Sequence, residues 1–149
     1  MALPKPTIYV AGGFYGTYKK TVQARLGEHF TIFDPETSPD MGIPARYVLA
    51  DLNAIENSRI ILVVQQDYPY LDGLAAEVGY AAGYVRGVTV AGGKTRKIDT
   101  IYVCLRKRPC SFLVGLARTT FFDLEAACDF ILERYTPSLK LEETTGEVG

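Results

Sequence analysis

The sequence predicts an α/β fold, a doubly wound parallel sheet of five strands in one domain. Three observations carry this expectation. Short runs rich in β-branched residues alternate along the chain with longer stretches of helical apolar spacing. Gly, Pro and Asp mark the breaks between them. The length of 149 residues, with 48% hydrophobic and 22% charged residues, suits a single soluble domain with a sizeable core. Strands that alternate with helices pair in parallel, with helices covering both faces of the sheet.

Thr7-Ile8-Tyr9-Val10-Ala11 reads as a first, central strand, bounded by Pro6 and by Gly12-Gly13. The loop Gly12-Gly13-Phe14-Tyr15-Gly16 leads to a helix from Thr17 to about Leu26, with Thr17 as its cap. Phe30-Thr31-Ile32-Phe33 is a second strand, stopped by Asp34-Pro35; Glu36 to Gly42 is loop. A helix follows from Pro44, a good first-turn residue, to Asn57, and Val48, Leu49, Leu52 and Ile55 are expected to bury one face of it. Arg59-Ile60-Ile61-Leu62-Val63-Val64 is the third strand, too short for a helix and strongly β-branched. After the loop signals Asp67-Tyr68-Pro69 and Asp72-Gly73, apolar residues recur at Leu74, Val78, Ala81, Ala82 and Val85, which predicts a third helix. Residues Gly87 to Lys97 read as a Gly- and Lys-rich connection with a short hairpin around Gly92-Gly93.

Thr100 to Leu105 is the fourth strand, and the basic loop Arg106-Lys107-Arg108-Pro109 precedes a short helix from Ser111 to Ala117. Thr119-Thr120-Phe121-Phe122 is the fifth strand. A last helix, capped by Asp123, carries Leu124, Ala127, Phe130 and Ile131 to Tyr135. The domain is therefore expected to span residues 1–135, with 136–149 a disordered tail without apolar periodicity. Five such strands suggest a flavodoxin-like order, 2-1-3-4-5, whose crevice opens at the carboxyl ends of strands 1 and 3. Gly12-Gly13-Phe14 and the stretch from Asp72 to Glu77 meet there.

Composition excludes several classes. A net charge of −1 argues against a general nucleic-acid binder. No apolar run reaches membrane-spanning length, and the first residues lack the apolar core of a signal peptide. The cysteines Cys104, Cys110 and Cys128 lack metal-ligand spacing and have a single histidine, His29, to join them. They read as reduced thiols of a cytoplasmic protein.

The near-fingerprint Ala11-Gly12-Gly13-Phe14-Tyr15-Gly16, with Asp34 at the end of the second strand, approaches a dinucleotide site. The chain is short for a dinucleotide enzyme with a substrate site, and Ala11 stands where the first Gly belongs. Gly92-Gly93-Lys94-Thr95 mimics a phosphate-binding loop but has Val88 in place of the earlier Gly and no strand-to-helix setting. No serine or cysteine has a histidine partner in view, so the chemistry falls to carboxylates.

Glu77 sits in the first turns of a helix that starts where a buried strand ends. The helix macrodipole favours its ionised form, and Ala75, Ala76, Gly79 and Ala81 leave room beside it. A first-turn Glu that merely balances the dipole would look the same. Asp51 lies beside the apolar face of the second helix, where a solvated Asp is the plain alternative. Asp72 opens the third helix and could equally be its cap. Taken together, Tyr9, Asp51, Asp72 and Glu77 are candidates to line one crevice. A nucleophilic carboxylate with a second acid nearby is the equipment for cleaving a glycosidic bond by double displacement.

Ile8-Tyr9-Val10-Ala11-Gly12-Gly13-Phe14, Asp51-Leu52-Asn53-Ala54-Ile55 and the run from Asp72 through Gly73 and Glu77 to Ala81 resemble the nucleoside 2-deoxyribosyltransferase family, in order, over about residues 7–135. The resemblance implies a flavodoxin-like, homo-oligomeric enzyme that moves 2-deoxyribose between nucleobases without metal or organic cofactor. Its substrates would be a 2-deoxynucleoside or deoxynucleotide and a free base, not a nucleic-acid polymer. Glu77 matches the nucleophile, Asp51 the acid handling the base's proton, and Tyr9 the aromatic that orients the nucleophile. Gly12, Gly13, Phe14, Asp72 and Gly73 match positions around the substrate.

The departures are informative. Leu71 stands where the family often has an acid ahead of Asp72. Ser111 stands where transferases of this family place an Asn that reaches a neighbouring subunit's site. A related branch, the N-glycosidases that hydrolyse deoxynucleoside monophosphates, uses a Ser near that point for the 5′-phosphate. Lys19, Lys20 and Arg106-Lys107-Arg108 could serve the same anion, or be solvated surface charges. The tail has no terminal aromatic to close over the sugar, and residues 87–97 have no counterpart in the family.

Overall fold

A computed structural model of the chain describes residues 4–13, 16–37, 42–67, 72–93 and 97–145, with the backbone alone at 72, 73 and 137–145. The elements follow as β1 (Thr7–Gly12), α1 (Tyr18–Leu26), β2 (Thr31–Phe33), a 3-10 turn (Pro35–Thr37), α2 (Pro44–Glu56), β3 (Ile60–Gln65), α3 (Asp72–Val90), β4 (Asp99–Cys104), α4 (Ser111–Leu116), β5 (Thr119–Phe121) and α5 (Leu124–Thr145). Five strands form one parallel sheet in the order β2-β1-β3-β4-β5, as the sequence predicts.

Alternation along each strand sorts the core into two layers. Ile8, Val10, Leu62, Val64 and Ile101 face α1 and α5, where Val22, Leu26, Ile131 and Tyr135 cover them. Tyr9, Ala11, Ile61, Val63 and Tyr102 face the other way, against Ile55 of α2, Val78 of α3 and Leu113 of α4. β3, central in the sheet, is buried at every residue, which is why it reads as a continuous apolar run. Truncating one of its fully buried side chains, as in Ile61→Ala, removes about 2–5 kcal/mol through lost burial and the cavity left behind.

At the amino end of β4 the buried Asp99 accepts hydrogen bonds at Oδ2 from Arg59 (3.0 Å), Arg118 (2.9 Å) and the Tyr135 hydroxyl (2.7 Å). This cluster ties β3, β4 and α5 together at the end of the sheet away from the crevice.

Asp123 caps α5 as expected, its carboxylate accepting from the Glu125 and Ala126 amides. Several other local expectations need correction. Thr17 makes no side-chain cap; α1 starts instead on its backbone carbonyl, which accepts from Lys20 and Thr21. Val48 and Leu49 are exposed at 43% and 67%, because residues 42–46 also stand clear and α2 meets the sheet only along the row of Asp51 and Ile55. α3 continues through Gly87 to Val90, held by Ala91 N to Gly87 O (3.0 Å) and Thr89 Oγ1 to Val85 O (2.8 Å). The turn falls at Gly92, with φ +77°, and the segment from Gly87 to Val90 is helix rather than hairpin. α5 runs to Thr145, ten residues past Tyr135, because Leu139, Lys140, Leu141, Glu142 and Glu143 favour a helix without an apolar stripe. No helix among the described residues is long and apolar enough to cross a membrane.

Candidate active site

β1 ends at the middle of the sheet, and its alternation sends Tyr9 toward α2 and α3. There the Tyr9 hydroxyl donates to Glu77 Oε1 at 2.8 Å. The ring is fully buried and stacks on Phe33 at the end of β2, with centroids 5.5 Å apart and planes 16° from parallel. That stacking fixes where the hydroxyl points, so Glu77 meets a donor held before any substrate arrives.

Asp51 stands on the same side. It is 7% exposed, and its Oδ1 has no hydrogen-bond partner among the described residues. A buried carboxylate oxygen left without a donor is costly, and functional sites are where such costs are tolerated. The helices that carry the two acids are joined: the Tyr80 hydroxyl of α3 donates to the Glu56 carboxylate at the end of α2.

The electrostatics follow from crowding these groups out of water. Burial lifts Glu77 from 4.5 to about 7; the Tyr9 hydrogen bond opposes the rise and the nearby Asp51 charge adds to it. Burial raises Asp51 too, with the Tyr9 hydroxyl pulling the other way. Tyr9 is itself pushed far up, by burial first and then by Glu77, so it remains a neutral donor. The helix macrodipole favours an ionised Glu77, but desolvation outweighs it and leaves the carboxyl poised near neutrality. Such a pair exchanges protons readily with a bound reactant.

The glycine loop is built by close approach. A Cβ at Gly12 would lie 2.6 Å from the Tyr18 hydroxyl oxygen and 2.8 Å from the Val64 carbonyl oxygen. Tyr18 donates to the Gly13 carbonyl at 2.7 Å, and Gly16 adopts φ +126°. The backbone there can approach a ligand as no side-chain-bearing residue would allow. Phe14 lies outside the described residues. Asp72 and Gly73 form the first turn of α3, and the Asp72 side chain is likewise outside them.

Ser111 opens α4, exposed, at the carboxyl end of β4; the structure records no contact from it to Tyr9, Asp51 or Glu77. Lys19 is engaged with Asp34 at 2.8 Å and Glu36 at 2.5 Å. Arg106 lies 3.9 Å from Asp67.

Sequence reasoning missed three contributors. Phe33 and Tyr18 are strand-end and helix-start aromatics whose partners only the fold reveals. Gln65 closes β3 almost fully buried; its Oε1 accepts from the Tyr102 hydroxyl, which in turn accepts from the Cys110 amide at 3.2 Å. A polar residue ending a β-branched run was the available signal.

No family model and no curated protein matches the chain. Solved structures do. A 2-deoxyribosyltransferase from the psychrotolerant bacterium Bacillus psychrosaccharolyticus aligns with a TM-score of 0.63 at 17% identity, over 89% of this chain and 95% of that one. A 2-deoxyribosyltransferase from Leishmania mexicana aligns with a TM-score of 0.54 at 18% identity, over 87% of this chain and 99% of that one. The chain therefore has the fold of known 2-deoxyribosyltransferases over most of its length.

Proposed function

We propose that this chain transfers 2-deoxyribose between nucleobases, cleaving the N-glycosidic bond of a 2-deoxynucleoside through a covalent intermediate on Glu77. The observation that carries the reading is the part-buried Tyr9–Glu77 hydrogen bond with the charge of Asp51 close enough to raise Glu77. Tyr9 occupies Oε1, so Oε2 is the attacking atom. Near neutral pH the two carboxyls hold one proton between them, and in the reactive form it sits on Asp51 while Glu77 is ionised. As the Glu77 Oε2–C1′ bond forms, the C1′–N bond breaks and the base leaves, taking that proton from Asp51. A second base then attacks C1′, returns its proton to Asp51 and releases Glu77 as carboxylate. Atoms and charge balance without a metal or an organic cofactor. We assign the walls for sugar and base to the backbone of Gly12 and Gly13 and the first turn of α3 at Asp72 and Gly73; Phe14, the remaining candidate, lies outside the described residues.

A second reading keeps Glu77 but makes water the acceptor and a deoxynucleoside 5′-monophosphate the substrate. Ser111 and the basic run Arg106-Lys107-Arg108, on the connection from β4 to α4, favour it. The test is a chromatographic assay with 2-deoxynucleosides and their 5′-monophosphates, with and without a free acceptor base. A new deoxynucleoside formed only with acceptor supports transfer. Free base released from the monophosphates regardless of acceptor makes the enzyme a hydrolase. If neither appears while Glu77→Ala still binds nucleoside, the crevice is a binding module.

We also read the chain as a cytoplasmic homo-oligomer with its domain closing near residue 135. Exposed apolar residues on α2 (Val48, Leu49) and α4 (Phe112, Val114) support assembly, and the free cysteines Cys104, Cys110 and Cys128 suit a reducing compartment.

A further inference from the structure

A second cavity, of about 490 Å³, lies between α1 and β2 on the face of β1 opposite Tyr9. Its volume is within the range of small-molecule pockets. Val10, Ala24 and Ile32 give it an apolar wall, and Asp34, Lys19 and Thr37 stand at its polar side. Asp34 follows the carboxyl end of β2, the place from which an acid receives ribose hydroxyls in doubly wound nucleotide folds. Its Oδ1 accepts from Lys19 Nζ at 2.8 Å and from the Glu36 amide at 3.0 Å, which fixes the carboxylate in place. A carboxylate has about four lone-pair sites, more than these bonds use.

The polar side pairs an acceptor with a donor. Lys19 is offset by Asp34 and Glu36, so a phosphate beside it would be repelled by two carboxylates, a cost that a neutral diol does not carry; Lys20 and Gln23 complete the lining at its exposed rim. Vicinal hydroxyls both donate and accept, and match a carboxylate set against an ammonium. The apolar wall suits the flat face of a base. We infer that this cavity is a binding site for a ribonucleoside, with Asp34 accepting from its 2′- and 3′-hydroxyls and the base lying on Val10, Ala24 and Ile32. The cavity lies on the opposite face of β1 from Tyr9, although the Asp34 charge reaches Tyr9, and the proposal does not depend on the reaction proposed for Glu77. A 2-deoxynucleoside lacks one of the two hydroxyls, so the two sites prefer different sugars.

The test is methyl NMR of the full chain labelled at Ile and Val, titrated with adenosine. Glu77→Ala protein, which cannot turn over a deoxynucleoside by the route above, is titrated in parallel with adenosine and 2′-deoxyadenosine. Saturable shifts of the Ile32 and Val10 methyls by adenosine are expected, with 2′-deoxyadenosine weaker by about tenfold, the value of one hydrogen bond to a charged group. Asp34→Asn should weaken adenosine at least tenfold. Ala24→Phe, an exposed position that tolerates bulk, should abolish the shifts while the remaining spectrum stays folded. Unmoved Ile32 and Val10 methyls, equal affinity for the two nucleosides, or unchanged binding in Ala24→Phe would each overturn the assignment. Absence of deoxyribosyl transfer would leave it intact.

Discussion

Replacing Tyr9 with Phe removes one hydrogen bond and little else. The ring keeps its place on Phe33, so the fold is retained, but Glu77 loses the donor at 2.8 Å that favours its ionised form. A hydrogen bond to a charged group is worth about 1.5–3 kcal/mol, and one pKa unit corresponds to about 1.36 kcal/mol. Glu77, at about 7 in the native protein, should therefore titrate roughly one to two units higher in Tyr9→Phe. A nucleophile must be ionised. At pH 7 the ionised fraction falls from about half to between roughly a tenth and a hundredth, so kcat/KM should drop about 5- to 50-fold. Most of the loss should return above pH 9. The pH profile of kcat/KM reads this in the free enzyme. An acid limb that stays near pH 7, or moves down, would refute the claim that Tyr9 holds Glu77 in its reactive state.

Asp51→Asn should move the same limb the other way, below pH 7, because it removes the charge that raises Glu77; turnover should also fall, most for bases that leave poorly without a proton. Glu77→Gln should stabilise the fold at pH 8. A carboxyl whose folded pKa is raised from 4.5 to about 7 contributes stability at low pH that is lost as pH rises through 7, at most about 3 kcal/mol. Urea unfolding at pH 8 and pH 4 reads it, and equal stability of variant and parent at pH 8 counts against a buried Glu77. Asp99→Ala should cost about 3 kcal/mol by stranding Arg59, Arg118 and the Tyr135 hydroxyl, without altering kcat per folded molecule. Burial raises Asp99, but Tyr135 and the arginines hold it below the usual carboxylate range; the stability it gives is present above pH 4 and is lost as pH falls through its lowered pKa. Gly12→Ala should destabilise by about 1–3 kcal/mol and raise KM, since the new methyl meets Tyr18 and the Val64 backbone; an unchanged KM would show that the loop does not touch substrate.

The sheet was legible because the strands are short runs of β-branched and aromatic residues, most of them closed by Gly, Pro or Asp, and separated by connections long enough for parallel pairing. Topology alone then brought Tyr9, in the middle of β1, and Glu77, in the second turn of α3, together. The Asp51 assignment needed the family resemblance, because a helix Asp beside an apolar stripe is ambiguous until the stripe's partner is known. The same ambiguity misled the reading of Val48 and Leu49: periodicity marks an apolar face without saying whether the sheet or another surface receives it. Local rules also placed a break at Gly87, where continued hydrogen bonding carried α3 onward. Stacking of Tyr9 on Phe33 and the Gln65–Tyr102–Cys110 chain join residues from different strands, which no spacing along the sequence encodes. The raised pKa of Glu77 was hidden for a related reason. The macrodipole is a property of one helix, whereas desolvation depends on everything packed around it.

The central claim is that Glu77 carries the sugar. Intact-mass and peptide mass spectrometry of protein quenched during turnover of a 2-deoxynucleoside tests it directly. The account predicts one deoxyribosyl adduct, on the peptide containing Glu77, discharged by added base and absent from Glu77→Gln. Turnover with the adduct on another residue, or with no adduct and an inverted C1′, would contradict it.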